Sequence, residues 1–186
     1  MMRRVMGLVA VCAFALTSGL HAQTLVTSGT YSGNGHQYYI YDAAGIDWAT
    51  AQAFAVNMGG YLATITDAGE NAFVASLNSS VFAGQRWLGG FQPQGETNPL
   101  ANWQWVTGEA WGYTNWSPGE PNDFYGPGSE QQLAIGFYSD SPASWNDEGN
   151  LNNIRGFVVE VVPEPASMVA LSVGLAGLLG LRRRRK

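Results

Sequence analysis

In the first half of the chain, apolar residues are dense in one short strand-like segment and recur along one face of two helix-like segments. Residues 38–41 are dense in β-forming side chains, which predicts a strand. Residues 47–58 begin with an aspartate and carry apolar side chains on one face, and a Gly-Gly pair follows, which predicts a capped helix. A second helix is predicted over residues 67–78, where Glu70 follows Asp67 in capping-box spacing. A short apolar stretch, residues 62–65, lies between the two.

The second half of the chain contains shorter apolar stretches and a long polar one. Short strands are predicted at residues 87–89, 103–106, 132–137 and 156–162. Much of the sequence between Gly108 and Ser144 is rich in Gly, Pro, Ser, Asn and Asp. A loop of this length in a compact domain is usually functional or disordered. The acidic and aromatic residues in this one favour a functional loop.

The N-terminal segment is typical of export. Residues 1–22 carry Arg3 and Arg4, then an apolar run, then small residues, which predicts a secretory signal peptide. Cys12 is the only cysteine and lies within this segment. The mature protein would therefore have neither disulfides nor cysteine-based zinc sites. Residues 23–30 are predicted to be a short polar lead-in.

The charge of the mature domain differs strongly from that of the whole chain, which is −5. Seven of the nine basic residues lie in the two end segments. Between residues 23 and 162 only Arg86 and Arg155 are basic, whereas thirteen residues are acidic, so the formal charge is −11. Nucleic acids and anionic membrane surfaces are poor partners for such a domain. Divalent cations are good ones.

Oxygen-bearing side chains gather around a Glu-Pro-Asn and a Trp-Asn-Asp motif. They are Glu120, Asn122, Glu130, Asn146 and Asp147. Carboxylates and amides are the hard donors that calcium prefers, and this ion takes six to eight oxygens. A site with fewer protein oxygens leaves positions for the hydroxyls of a ligand. The motifs thus favour a calcium-dependent sugar binder, with a solvated acidic loop without metal as the alternative.

Enzymatic functions are poorly supported by the same residues. After signal-peptide removal the only histidine is His36, which a Ser-His-Asp triad would have to use, and no nucleophile-elbow pattern is present. A zinc site lacks its usual ligands. A glycosidase pair of two loop carboxylates remains a third interpretation. However, Glu120 and Glu130 are better explained as metal ligands, which stay ionised and cannot serve as a general acid.

The body of the chain, residues 31–162, resembles a C-type lectin domain. Nine segments match in order: Gly35–Tyr39, Trp48 with Ala51, Gly59–Ile65, Glu70–Phe73, Trp87–Gly90, Tyr113–Trp116, Gly119–Asn122, Trp145–Asp147 and Gly156–Glu160. The resemblance implies an α+β fold with two helices, small antiparallel sheets that bring the chain ends together, and a long calcium-binding loop. In the family, two disulfides are usual, but Gln132 and Val159 stand here in two of the cysteine positions.

The resemblance also implies the roles of the site residues. The five oxygen-bearing side chains would hold the principal calcium ion with the Asp147 carbonyl, and they would also bind two vicinal hydroxyls of a sugar. A cis bond is implied before Pro121. Glu-Pro-Asn implies equatorial hydroxyls, as in mannose, glucose, N-acetylglucosamine or fucose. A second calcium ion is not expected, because Gln92 and Gln131 stand where acids are common.

Aromatic residues near the site have two possible roles. Phe124 and Tyr125 lie in an extension of the loop and would either stack on a sugar ring or pack against Trp116. The other tryptophans, Trp87, Trp103, Trp105 and Trp145, are better explained as core residues than as sugar platforms. Trp116 directly precedes the motif and fits either role.

The C-terminal segment, residues 163–186, resembles a PEP-CTERM sorting signal. It contains Pro-Glu-Pro, the apolar run 166–181 and a terminal basic cluster, in that order. The resemblance implies processing by an exosortase of a Gram-negative bacterium after transient inner-membrane anchoring through a transmembrane helix. The alternative is a permanent membrane anchor, with the basic cluster on the cytoplasmic side.

Together these features predict an exported, non-enzymatic, calcium-dependent carbohydrate binder at the cell surface or in the extracellular polysaccharide matrix. The leading alternative is a C-type lectin-like module that binds protein or serves in adhesion without recognising sugar.

Overall fold

The computed structural model describes residues 22–79, 84–137 and 141–163. The predicted signal peptide, apart from Ala22, and the sorting signal after Pro163 lie outside these ranges. Among the described residues, no helix has the length and hydropathy needed to cross a membrane. The predicted membrane segment 166–181 is outside them.

In the part of the chain that the structure describes, eight strands form one sheet. They are β1 (Thr24–Thr30), β2 (Gln37–Asp42), β3 (Tyr61–Leu62), β4 (Gln85–Phe91), β5 (Gln104–Trp105), β6 (Gln132–Ile135), β7 (Trp145–Glu148) and β8 (Ile154–Val161). The order is β1-β2-β8-β4-β6-β7, while β3 pairs with β8 and β5 pairs with β4. The β4–β8 pair is parallel and the others are antiparallel. The expectation of small antiparallel sheets is therefore corrected to a single mixed sheet.

Both predicted helices are present, as α1 (Trp48–Asn57) and α2 (Ala68–Ser79). Asp47 caps α1, because its carboxylate accepts hydrogen bonds from the Thr50 backbone N–H at 2.8 Å and the Thr50 hydroxyl at 2.7 Å. Asp67 accepts from the Glu70 N–H at 2.9 Å at the start of α2. The side chain of Glu70 is buried and accepts from the Thr66 N–H at 2.6 Å. The capping residues predicted from the sequence thus start both helices.

Three strands, β1, β3 and β7, were not predicted; the short strand β3 overlaps the start of the apolar stretch at residues 62–65. The expected lead-in forms β1, because its residues pair along β2 on both sides of an irregularity at Val26 and form that edge of the sheet. Strand β7 contains Asn146, Asp147 and Glu148, residue types that disfavour strands in general. All four β7 residues are nevertheless buried, and β6 pairs with them in continuous antiparallel register. Tertiary pairing therefore overrides propensity at β7.

Two hydrophobic clusters lie on opposite faces of the sheet, since consecutive strand residues alternate between them. One cluster contains Val74 of α2 with Trp103, Trp105 and Trp145; the other contains Ala51 and Ala55 of α1 with Trp87. These four tryptophans are at most 6% exposed, which confirms their prediction as core residues. The ring centroid of Trp116 lies 5.0 Å from that of Trp103, so Trp116 also packs against the core.

Candidate functional site

The candidate site lies where the long loop meets β6 and β7. The Ser117 N–H donates to the Trp145 carbonyl at 2.8 Å, and the Glu120 N–H donates to the Ser117 carbonyl at 3.0 Å. These bonds bring the loop alongside β7. The Glu120–Pro121 peptide bond is cis, as the resemblance implied. Glu130 follows on the same loop, two residues before β6.

Four of the five predicted ligands line one cavity of about 180 Å³. These are Glu120, Asn122, Glu130 and Asn146, and they share the cavity with Phe124, Tyr125, Phe137, Glu148 and Asn153. We call this space the acidic cavity. Residues far apart in sequence thus meet at one opening whose polar lining consists of carboxylates and amides.

The fifth predicted ligand, Asp147, does not line the acidic cavity. Asn146 and Glu148 line the cavity, whereas the Asp147 carboxylate lies behind this lining, beneath the Glu-Pro-Asn segment, and shares a side-chain hydrogen bond with Glu120. The Asp147 carboxylate is fully buried and accepts from the Asn122 N–H at 3.0 Å and the Asp123 N–H at 2.9 Å. Asp147 therefore holds the backbone of the Glu-Pro-Asn segment against β7.

Asp123 organises the loop between Asn122 and β6. Its carboxylate is 7% exposed and accepts from the Gly128 N–H at 2.9 Å and the Glu130 N–H at 3.1 Å. Its backbone lies in the left-handed region, with φ of 50°. Aspartate tolerates this conformation better than most residues. The loop that carries Glu130 is thus closed by side-chain-to-backbone bonds.

Sequence reasoning missed Glu148, a buried acid of the acidic cavity. It accepts from Gln85 Nε2 at 2.5 Å and from Asn153 Nδ2 at 2.9 Å. Gln85 Oε1 also accepts from Asn146 Nδ2 at 3.2 Å, so Gln85 orients both cavity residues of β7. The available signal was the alternation along β7: once Asn146 faces a ligand, the residue two positions later faces it too.

Burial and mutual repulsion raise the pKa values of the site carboxyls. The pKa of Glu120 is raised to about 7, first by burial and then by the negative charges of Asp147 and Glu148. The pKa of Glu130 is also raised to about 7, mainly by burial. Burial raises the pKa of Asp147 as well, against the lowering effect of its backbone hydrogen bonds. Such shifts mark carboxylates that lack a compensating positive charge.

Every basic side chain in the described part of the chain is paired elsewhere. Arg86 and Arg155 both bind Asp42, at 2.6 and 3.1 Å. His36 Nδ1 lies 2.6 Å from the Glu160 carboxylate. Burying a charge is costly unless a partner compensates it. The acids of the site therefore have no basic partner among the described residues, and a bound cation would supply one.

The donor set fits calcium in kind, although its arrangement is not that of a closed metal site. Among the described residues, no three Asp, Glu, His or Cys side chains converge as metal ligands. Glu120 Oε2, however, is buried and without a hydrogen-bond partner. A carboxylate oxygen that accepts one N–H retains a further lone pair, so Glu130 and Asp147 keep coordination capacity. Three carboxylates and two amides are the oxygen types that calcium prefers.

Gln92 and Gln131 stand at positions where family members with a second calcium ion often carry acids. Their side-chain amides hold the loop at residues 93–101. Gln92 Nε2 donates to the carbonyls of Asn98 at 2.9 Å and Ala101 at 2.6 Å. Gln131 Nε2 donates to the carbonyls of Pro93 at 3.1 Å and Glu96 at 2.9 Å. The backbone carbonyls of this loop are thus satisfied by neutral donors.

The chain belongs to the C-type lectin domain family. Residues 45–154, more than half of the chain, match the family model described as lectin C-type domain. Domains of this family are non-enzymatic binding domains, and membership supports carbohydrate binding in general terms. Residues 161–185 match the PEP-CTERM protein-sorting motif, which indicates export and sorting through an exosortase.

Proteins named for different functions are similar to this chain over part of their length. Human C-type lectin domain family 10 member A is 30% identical over 113 residues, covering 59% of this chain and 32% of the relative. The type-2 ice-structuring protein of Brachyopsis segaliensis is 29% identical over 101 residues, covering 54% of this chain and 55% of the relative. The chain thus matches about a third to about half of the length of these relatives.

The solved structure of human lithostathine has the same fold. It superposes with a TM-score of 0.59 at 23% identity, covering 73% of this chain and 97% of lithostathine. At this identity the likeness establishes the fold alone. The α+β, C-type lectin-like fold predicted from the sequence is confirmed.

Proposed function

We propose that this domain binds carbohydrate through a calcium ion held by Glu120, Asn122, Glu130, Asn146 and Asp147. The observation that carries the proposal is the buried carboxylate cluster, for which the described part of the chain offers no basic partner. Calcium would neutralise these charges and accept ligand oxygens at its open coordination positions. The acidic cavity is the opening at which a ligand reaches the site.

The side chains of the acidic cavity supply the hydrogen bonds that select a sugar. The amides of Asn122 and Asn146 donate to sugar hydroxyls, and the carboxylates of Glu120 and Glu130 accept from them. Charge-assisted bonds of this type are stronger than neutral ones. The resemblance of the Glu-Pro-Asn motif to that of sugar-binding family members implies a preference for vicinal equatorial hydroxyls, as in mannose, glucose, N-acetylglucosamine and fucose.

The competing function is binding of protein, or adhesion, without sugar recognition. One similar protein, the ice-structuring protein, is named for a function other than sugar binding. The decisive experiment is a glycan array probed with the mature domain in calcium and in chelator. We expect binding to mannose- and glucose-type glycans in calcium only. No binding to any glycan would favour the competing function, and sugar hydrolysis that persists in chelator would indicate a glycosidase.

The sorting motif supports a place of action that the domain reaches by export. We propose that the domain reaches the cell surface or the extracellular polysaccharide matrix after a membrane-anchored intermediate. Single sugar contacts are weak, and many copies on a surface would raise the effective affinity by avidity. Fractionation of cells with and without their exosortase tests this: retention of the uncleaved chain in the inner membrane of the mutant is expected.

One calcium ion is expected to bind per domain. The carbonyls of the loop at residues 93–101 already accept from Gln92 and Gln131, which cannot replace the charge of an acid. Calorimetric titration of the mature domain with calcium should give a stoichiometry of one. A second equivalent that binds with comparable affinity would show that Asp123 and its neighbours form another site.

A further inference from the structure

A second, shallower depression lies next to the acidic cavity. It is lined by Tyr125, Ser129, Gly149 and Asn150 and encloses about 300 Å³. Tyr125 also lines the acidic cavity, so the two spaces adjoin at its ring. None of the four lining residues carries a charged side chain, in contrast to the carboxylates of the acidic cavity. We call this depression the aromatic subsite.

The Tyr125 ring is tied to the acidic cavity by two hydrogen bonds. The Tyr125 hydroxyl accepts from Asn150 Nδ2 at 2.9 Å. The Asn150 backbone N–H donates to Glu148 Oε1 at 2.8 Å, and Glu148 is a buried residue of the acidic cavity. A side chain held in place before binding loses less conformational entropy when a ligand arrives. The ring is thus positioned as a binding surface.

Phe124 and Tyr125 do not pack into the protein. Phe124 is 76% exposed and Tyr125 is 54% exposed. Their ring centroids are 5.2 Å apart, with the planes at 89°, so one ring edge faces the other ring. Of the two roles left open by the sequence, packing against the core is therefore not the one observed. An exposed aromatic face beside hydroxyl and amide groups offers both an apolar surface and hydrogen-bonding partners.

We infer that the aromatic subsite binds a second pyranose ring of a glycan whose first ring occupies the acidic cavity. This inference rests on the proposed function. A pyranose has an apolar C–H face, which matches the Tyr125 ring, and hydroxyls, which match Ser129 and Asn150. Because the subsite is neutral, the second ring needs no metal of its own. The ligand is therefore an oligosaccharide or an internal stretch of polysaccharide rather than a single sugar.

The test compares monosaccharides with trisaccharides built from the same sugar. Calorimetry of the mature protein in calcium would use mannose, glucose and N-acetylglucosamine with their trisaccharides. For the best-bound series, we expect the trisaccharide to bind about tenfold more tightly, because the second contact forms within one binding event. In Tyr125→Ala the ratio of trisaccharide affinity to monosaccharide affinity should fall to about one, and in Asn150→Ala this ratio should fall partway. Leu100→Ala is the matched control, because Leu100 is also 76% exposed but lines neither space.

The possible outcomes separate this inference from the function on which it rests. Monosaccharide binding with no gain for the trisaccharide overturns the aromatic subsite and leaves the proposed function standing. A gain that persists in Tyr125→Ala places the second ring elsewhere and also overturns it. Absence of binding to all of these sugars in calcium contradicts the proposed function and the subsite together.

Discussion

Replacing Glu120 or Asp147 by the corresponding amide is expected to abolish calcium and sugar binding together. Each change removes one negative charge from the donor set, and calcium affinity depends steeply on the charge of its ligands. We expect calcium affinity to fall by roughly a hundredfold or more in Glu120→Gln and in Asp147→Asn. Calorimetry with calcium, followed by the glycan array, measures both effects.

The two substitutions separate binding from folding. Asp147 accepts backbone N–H groups of the loop, so Asp147→Asn also disturbs local structure. The Glu120 carboxyl shares a side-chain hydrogen bond with Asp147, which the amide of glutamine can also make, so Glu120→Gln should leave the metal-free fold intact. Glu109→Gln, at an exposed acid outside the acidic cavity, makes the same change in charge and should behave like wild type. Sugar binding that survives in a variant without calcium affinity would place the sugar site elsewhere.

Calcium is expected to stabilise the domain strongly at neutral pH and weakly in acid. A ligand that binds only the folded state at a hundred times its Kd adds about 2.7 kcal/mol to the free energy of unfolding. For a domain of this size the corresponding rise in Tm is about 10 °C. Differential scanning calorimetry in calcium and in chelator, between pH 4 and pH 8, measures the difference.

The sign of the pH dependence follows from the raised pKa values. Glu120 and Glu130 titrate near 7 in the metal-free folded protein, against an ordinary value of 4.5. Between these values the folded state holds more protons than the unfolded state, so their contribution to stability falls as pH rises. In chelator the site should thus favour unfolding increasingly from pH 4.5 to 7. Calcium favours the ionised carboxylates and should remove this loss.

A stabilisation by calcium that does not depend on pH would contradict this interpretation of the site. If the difference in Tm between calcium and chelator were equally large at pH 5 and pH 7.5, proton release from Glu120 and Glu130 would not accompany calcium binding. Asp67→Asn is not a suitable control here, because Asp67 caps α2. Glu109→Gln should retain the wild-type dependence on both calcium and pH.

The helices were predictable from sequence because their signals are local. Asp47 and Asp67 each cap a helix through a bond to a residue three positions later, and glycines follow the first helix directly. Strand β7 was not predictable in this way. Its polar residues are buried because β6 pairs along them and because the long loop covers them, with Asn122 contacting Asp147 from 25 positions away in sequence.

The candidate site was also predictable only in part from local sequence signals. The Glu-Pro-Asn and Trp-Asn-Asp motifs, together with Glu130 between them, gave five predicted ligand positions, of which four line the acidic cavity. Asp147 lies behind the cavity lining, next to Glu120 and the Asn122 N–H, and the contacts of Glu148 with Gln85 depend on where β4 lies in the sheet. Sequence motifs thus indicated the chemistry of the site, whereas the roles of Asp123, Gln85 and Glu148 required the fold.

Linkage between calcium and sugar is the sharpest test of the proposed function. If a sugar completes the coordination of the bound ion, the factor by which calcium raises sugar affinity equals the factor by which sugar raises calcium affinity. Calcium titrations of the mature domain should therefore give a lower Kd in saturating mannose than in buffer, and no such change in Glu120→Gln. A calcium Kd that is the same with and without a sugar that the domain demonstrably binds would contradict calcium-dependent recognition at this site.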